Sequence, residues 1–377
     1  MLFAVTIMAV GNVSSVSPAF PRMVEVFGIS ATQIGWVVTA YSLPGVVTAP
    51  LVGILADRVG RKRVLVPTLV VFGLAGGSCA LATSFSQLLT LRAVQGMAAS
   101  PLVALSITII SDLYDGRTRA TAIGYNATAL NVGTASYPAV GGLLAALAWN
   151  WPFALPLLAL PVAAAVAVGL DAPEIEDERT LAGYLSSART HLTDRRVVGL
   201  LLVNFGFFVL LFGAVLTYVP ELLDSRYGAS SVQVGGLLAI ASVVSGLVAT
   251  QLGRIVDAVS LPRLVQGSLV LIAAALALFP VVPALWVVGW VSALFGLGQG
   301  LNQPALQTRL TSLVPAEARG VVLSMNGTIL RLGQAVGPLL TGMVLAAFGI
   351  DAVFYTSGAA GLALAGGAAL LIGNATS

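Results

Sequence analysis

Charge is what this sequence has least of. Only 9% of its 377 residues are Asp, Glu, Lys or Arg, where a soluble domain carries about 25%. Too little charge is present to cover a water-facing surface, so a soluble globular protein is excluded and lipid must be the solvent for most of the chain. Cysteine is nearly absent too. The single Cys79 sits in an apolar run, which excludes an intrachain disulfide and a thiolate metal cluster. The one histidine, His191, lies in a charged stretch and reads as a surface residue. No His/Asp/Glu cluster and no Ser-His pair falls in an apolar segment, so no enzyme active site, metal site or cofactor is expected. A GxxxxGK[ST] nucleotide loop is missing as well, so ATP is not the energy source within this chain.

What is present is apolar sequence, 58% of the residues. A membrane-crossing helix needs roughly 20 such residues. Apolar runs between charged or turn-rich breaks give twelve spans, at 2–20, 33–56, 64–83, 87–110, 121–147, 152–170, 197–219, 232–256, 264–282, 284–308, 321–346 and 351–373. The first run has no basic segment before it, as a signal peptide would, and is read as a span. Between spans six and seven lies a polar stretch, Asp171 to Arg196, read as a linker; its middle, Leu181 to Leu192, is expected to form a short helix on the membrane surface. The expected organisation is an N-terminal six-helix bundle over 1–170, a cytoplasmic linker over 171–196 and a C-terminal six-helix bundle over 197–377.

The net charge of +3 reads as topology, with no nucleic-acid partner. Arg58, Arg61, Lys62, Arg63, Arg117, Arg119, Arg254, Arg263 and Arg319 fall in loops on one side, against Arg22 and Arg226 on the other. By the positive-inside rule, both termini are cytoplasmic in a multi-pass protein of the plasma membrane.

The halves align without a gap at an offset of two hundred residues. Matches at uncommon residue types carry this: Gln33 with Gln233, Asp57 with Asp257, Arg63 with Arg263, Arg119 with Arg319, Asn126 with Asn326 and Pro138 with Pro338. Gly53/Gly253, Gly96/Gly296, Gly133/Gly333 and Gly142/Gly342 keep the same register. Two parallel six-helix repeats can rock about a site held between them.

The loop after span two reads Gly53-Ile-Leu-Ala-Asp57-Arg58-Val-Gly60-Arg61-Lys62-Arg63. Glycine at 53 lets a neighbouring helix approach, and Gly60 permits a tight turn. Asp57 ends a helix, where the dipole disfavours it, and so calls for an outside partner. Here the chain resembles the major facilitator superfamily, whose loop signature it matches at every defining position. The resemblance covers nearly the whole chain. It implies an all-α fold of twelve transmembrane helices in two pseudo-symmetric bundles, with this loop latching the cytoplasmic side against the start of span eleven.

Span four carries Arg92, Gln95 and Gly96 on one face, similar to the family's second signature, in which the arginine is associated with proton coupling. At ~7 Å into the span by helical rise, Arg92 is within reach of the outer interface. Span five carries Gly133, Tyr137, Pro138, Gly141 and Gly142, and span eleven Gly333, Gly337, Pro338 and Gly342. The span-five stretch resembles the signature of drug:proton antiporters, with Tyr137 where that pattern has glycine. Small residues four apart let helices pack closely, so these positions are expected to form the seam between the bundles.

Arg331 stands ten residues into span eleven, ~15 Å deep at 1.5 Å per residue. A charge there costs about 2.5–3.5 kcal/mol even on insertion scales. Its repeat mate is Asn131, and no Asp or Glu lies in the interior of any span. Its partner is expected to be a substrate anion, Asn and Gln side chains, or backbone carbonyls. The remaining candidates for a substrate cavity are Asn12, Asn126, Asn204, Gln299, Asn302, Gln303 and Asn326. In the family, spans one, four, seven and ten line the path.

The expected function is secondary transport of a small molecule by alternating access, as drug or metabolite efflux by proton antiport. The alternatives are an uncoupled facilitator, an organic-anion carrier or a transporter-like sensor. The expected partners are a small-molecule substrate, protons and the lipid bilayer, and the expected state is a monomer.

Overall fold

The structure, a computed structural model, describes residues 1–170, 194–315 and 319–372. The surface helix expected within 181–192 lies outside them. Ten of the helices described are long and apolar enough to cross a membrane. In chain order, counting two further rods, they are α1 (Leu2–Val10, resumed at Phe20–Phe27), α2 (Gly35–Val59), α3 (Arg61–Leu81), α4 (Phe85–Leu113), α5 (Gly116–Leu147) and α6 (Trp151–Gly169). The second half has α7 (Arg195–Tyr227), α8 (Ser231–Thr250), α9 (Leu261–Val281), α10 (Leu285–Ser312), α11 (Arg319–Phe348) and α12 (Ile350–Ile372). The two not among the ten are α1, which is interrupted, and α10, which carries Gln299, Asn302, Gln303, Gln307 and Arg309. Large apolar side chains such as Val168, Trp286, Phe348 and Leu370 stand at least three-quarters exposed, as lipid-facing residues do.

The rods form two six-helix bundles, and the repeat is visible in their packing. In the first half a Cβ on Gly96 would meet the Tyr41 carbonyl; in the second, one on Gly296 would meet the Ala241 carbonyl. Both partners are two hundred residues apart. The next contact is kept with the small residue exchanged: Gly45 lies against Ser100, and Gly300 against Ser245. Close approach of α2 to α4 and of α8 to α10 is therefore what the glycines at 96, 296 and 300 provide.

Several rods differ from the expected spans. α1 does not end near residue 20. It breaks after Val10, turns through Gly11 and resumes as Phe20–Phe27, because Pro18 and Pro21 sit at the starts of new helical segments, where a missing N–H costs nothing. α4 is interrupted between Ala99 and Leu102. Pro101 has no N–H for the Met97 carbonyl, and the Ser100 hydroxyl donates to that carbonyl instead, at 2.9 Å. α7 widens into π-helical turns over Leu210–Tyr218 and runs on to Tyr227, well past the expected end at 219.

Candidate functional site

The bundles meet at one end and part at the other. The end that carries the Asp57–Arg63 turn is here called the basic end. At the opposite end, a Cβ on Gly142 would lie 2.5 Å from the Ser231 carbonyl oxygen, and one on Gly235 2.4 Å from the Pro138 carbonyl oxygen, so α5 and α8 touch backbone to backbone. Gly35 on α2 meets Pro338 on α11 in the same way, and Gly342 faces Thr32 and Tyr218. The Thr39 hydroxyl donates to the Ala335 carbonyl at 2.7 Å, and the Ser17 hydroxyl to the Leu216 carbonyl. Toward the basic end the glycines of the same rods, Gly53, Gly124, Gly246, Gly253, Gly320 and Gly327, meet nothing within 4 Å. The backbone-to-backbone contacts between the bundles thus gather at the end away from that turn.

This geometry corrects the expected seam. Pro138, Gly142, Pro338 and Gly342 do face the other bundle. Gly133, Tyr137 and Gly141 face α1 instead, packing on Val10, Gly11 and Ser15, while Gly333 and Gly337 face α7, packing on Phe205, Val209 and Gly213. Positions four apart share a helix face. Thus 133, 137 and 141 form one stripe, and 138 and 142 form the next one round the helix. Gly53 is corrected too: no helix approaches it in this state.

In the turn itself, Gly60 takes φ +107°, which only glycine adopts freely. Arg58 and Arg63 are exposed, and Arg61 is largely buried between two acids. Its Nε donates to Asp57 Oδ1 at 3.3 Å, and its Nη1 pairs with Asp112. The partner of Asp57 is therefore Arg61 rather than the start of α11. Asp112 is a residue that sequence reasoning missed. It falls inside α4, which runs to Leu113 instead of stopping at 110. Glu221 likewise falls inside the longer α7, so the helices are not free of carboxylates near their ends.

Arg92 does not snorkel. Its side chain is 1% exposed and lies 4.3 Å from the Tyr41 ring centroid and 5.8 Å from that of Phe153. Nη1 donates to Gln95 Oε1 at 2.8 Å, Gln95 Nε2 to Asn12 Oδ1 at 2.8 Å, and Asn12 Nδ2 to the Met8 carbonyl at 3.0 Å. A weaker bond runs from Nε to the Val37 carbonyl at 3.4 Å, and Nη2 has no hydrogen-bond partner among the described residues. Aromatic faces and amide dipoles thus hold a buried cation with no acid beside it.

The asparagines expected in the cavity mostly fasten helices within one bundle. The Thr6 hydroxyl donates to Asn126 Oδ1 at 2.7 Å, joining α1 to α5. Asn204 Nδ2 donates to Asn326 Oδ1 at 2.8 Å, joining α7 to α11, and Gln303 Nε2 donates to Asn204 Oδ1 at 3.1 Å. Asn302 turns away from the bundle interface altogether: fully buried, it donates to Ser268 Oγ on α9 at 3.0 Å. That leaves Asn131, exposed, with Gln299 and Arg331, partly exposed. Arg331 reaches across the interface, where its Nη2 donates to the Ser100 carbonyl at 2.5 Å. A backbone carbonyl, one of the expected alternatives, is its partner.

Ten helices long and apolar enough to cross a membrane, in two bundles that touch at one end and hold polar side chains between them, are the architecture of a multi-pass membrane transporter. The family described as Major Facilitator Superfamily matches residues 2–335 and again residues 227–375, and the chain belongs to it. The Bacillibactin exporter of Bacillus subtilis (strain 168) is 27% identical over 356 residues, covering 88% of this chain and 85% of that protein. The Quinolone resistance protein NorA of Staphylococcus aureus (strain MRSA252) is 24% identical over 380 residues, covering 96% and 92%. Among solved structures, a bacterial homologue of the human lysosomal transporter Spinster, inward-facing and unoccupied, superposes with a TM-score of 0.81 at 16% identity, over 98% of this chain and 94% of that one.

Proposed function

We propose that the chain exports a small molecule, a drug or metabolite, across the plasma membrane by proton antiport, rocking residues 1–170 against 197–377. The observation that carries this reading is the contrast between the two ends of the same helices. Glycines pressed backbone to backbone at one end have counterparts facing open space at the other, which is half of an alternating cycle. The relatives named as exporters support the direction. The basic end is cytoplasmic by the positive-inside rule, with both termini and the 171–196 linker on that side, so this is the inward-open state. The protein works as a monomer in this reading.

Two features bear on coupling. Arg92 is a buried cation with an unfilled donor, and Glu221 is a partly buried carboxylate within α7. An antiporter needs a group whose proton and substrate compete; the Glu221 carboxylate is a candidate for that group, while the Arg92 guanidinium keeps its proton and acts through its charge. The test is counterflow in liposomes holding purified protein, with and without a pH gradient. Uptake that needs the gradient is the expected result. Uptake indifferent to pH would make this a facilitator, and binding without uptake would make it a sensor.

A further inference from the structure

We infer that Arg331 is the charged contact of a binding site for organic anions between the two bundles. Arg331 stands twelve residues into α11, ~18 Å along the axis at 1.5 Å per residue. Its side chain leaves its own bundle and lodges against α2 and α4 of the other. A Cβ on Gly45 would lie 3.3 Å from Nη1 and 3.7 Å from Cδ, so the glycine makes the room the guanidinium occupies. A guanidinium carries five N–H donors in a planar fork. Its hydrogen bond goes to the Ser100 carbonyl, and the side chain remains partly exposed.

Among the described residues the surroundings supply dipoles and no negative charge. Thr48 and Ser100 share a hydroxyl–hydroxyl bond at 3.0 Å beside it. Tyr41, one helical turn before Gly45 on α2, carries a second cation, the buried Arg92, on its ring. Two guanidinium groups therefore flank one turn of α2. The nearest acids along α2 and α4 are Asp57 and Asp112, each twelve residues away from Gly45 and Ser100, or ~18 Å along the helix. Both are already paired with Arg61. The repeat mate Asn131 is neutral, so the positive field is one-sided. At low local dielectric such a field discriminates strongly by sign.

Phe208 and Phe212 on α7 lie against a different face of α11, since Gly333, which meets the Phe208 Cβ, is two residues on from Arg331. The class of ligand is thus set by the guanidinium: an organic molecule bearing one carboxylate, sulfonate or similar group. A lipophilic cation is disfavoured. Passage of the bound anion across the membrane rests on the export reading; the binding itself does not.

The experiment is equilibrium binding to the purified full chain of two soluble probes with one ring and opposite charge, 2-naphthalenesulfonate and 2-naphthyltrimethylammonium. The sulfonate is expected to bind at least about tenfold more tightly. Arg331→Gln is expected to abolish the difference, and Arg331→Lys to keep its sign with a smaller size, since lysine retains the charge without the fork. Thermal unfolding of both variants checks that they are folded. Equal or tighter binding of the ammonium probe, no sulfonate binding, or an unchanged preference in a folded Arg331→Gln overturns the site. Counterflow of the same probes separates this from the transport reading. Sulfonate binding without counterflow keeps the site and sinks transport, whereas ammonium counterflow without sulfonate binding does the reverse.

Discussion

The ring of Tyr137 fills the space that a side chain on Gly11 would need: a Cβ built on Gly11 would lie 1.8 Å from two ring carbons. In the second bundle the same helix pair is arranged the other way, with Gly337 on α11 against Val209 and Gly213 on α7. Tyrosine at a position where the antiporter pattern has glycine is thus matched by a glycine on the facing helix. The break in α1 at Gly11 is where the ring enters.

That pairing makes a prediction with a sign in each arm. Gly11→Ala is expected to lower stability by about 1–3 kcal/mol through overpacking. Tyr137→Gly alone leaves a void and is expected to cost about 3–5 kcal/mol, as other buried aromatic truncations do. Together they are expected to cost less than the sum, because each relieves the other. Thermal unfolding of the purified protein and its three variants closes the cycle; strictly additive losses would show that the two residues do not share this space.

The glycines at the two ends predict opposite conformational biases. A side chain at Gly142 collides with Ser231 and Gly235 in the state described here, whereas one at Gly53 meets nothing. Gly53→Leu is therefore compatible with this state and is expected to obstruct closure at the basic end, since the α2–α11 approach must then be close. Gly142→Leu is expected to open the other end instead. Spin labels at Tyr125 on α5 and Leu323 on α11, both exposed in different bundles, read the basic-end separation. The wild-type long distance should persist in Gly53→Leu and shift toward a shorter population in Gly142→Leu. The same distribution in both variants would mean these glycines do not gate the motion.

What the sequence made legible was periodic or repeated. The duplication at two hundred residues predicts pairs such as Gly96/Gly296, and in the fold those glycines meet Tyr41 and Ala241, again two hundred apart. Most span positions follow from hydropathy, because each crossing helix needs a minimum apolar length. Illegible were the features set by a neighbour far along the chain. Asn302 and Gln303 are adjacent in sequence, yet one bonds α9 and the other α7, and only the packing angle of α10 decides which faces where. Helix ends misled in the same way. Taking α4 to stop at 110 hid Asp112, and taking α7 to stop at 219 hid Glu221. In both cases the helix runs on through a charged residue to further apolar ones, Leu113 in α4 and the buried Leu222 and Leu223 in α7.

Asp112 matters because it makes Arg61 a bridge rather than half of a pair. Arg61 is 12% exposed, and Asp57 and Asp112 are 23% and 14% exposed, so the three charges are largely withdrawn from water but not dry. Removing the cation strands two carboxylates that repel each other, while removing one acid leaves a single ion pair intact. Arg61→Met is therefore expected to cost about 1–3 kcal/mol, between the worth of exposed and buried pairs, and Asp112→Asn less. Adding Asp112→Asn to Arg61→Met is expected to recover part of the loss, because one of the two stranded charges is then gone. Unfolding midpoints for the single and double variants decide this. If the double variant is less stable than Arg61→Met alone, Asp112 is held by something other than Arg61, and the bridge between α2, α3 and α4 is not what fixes the turn at Gly60.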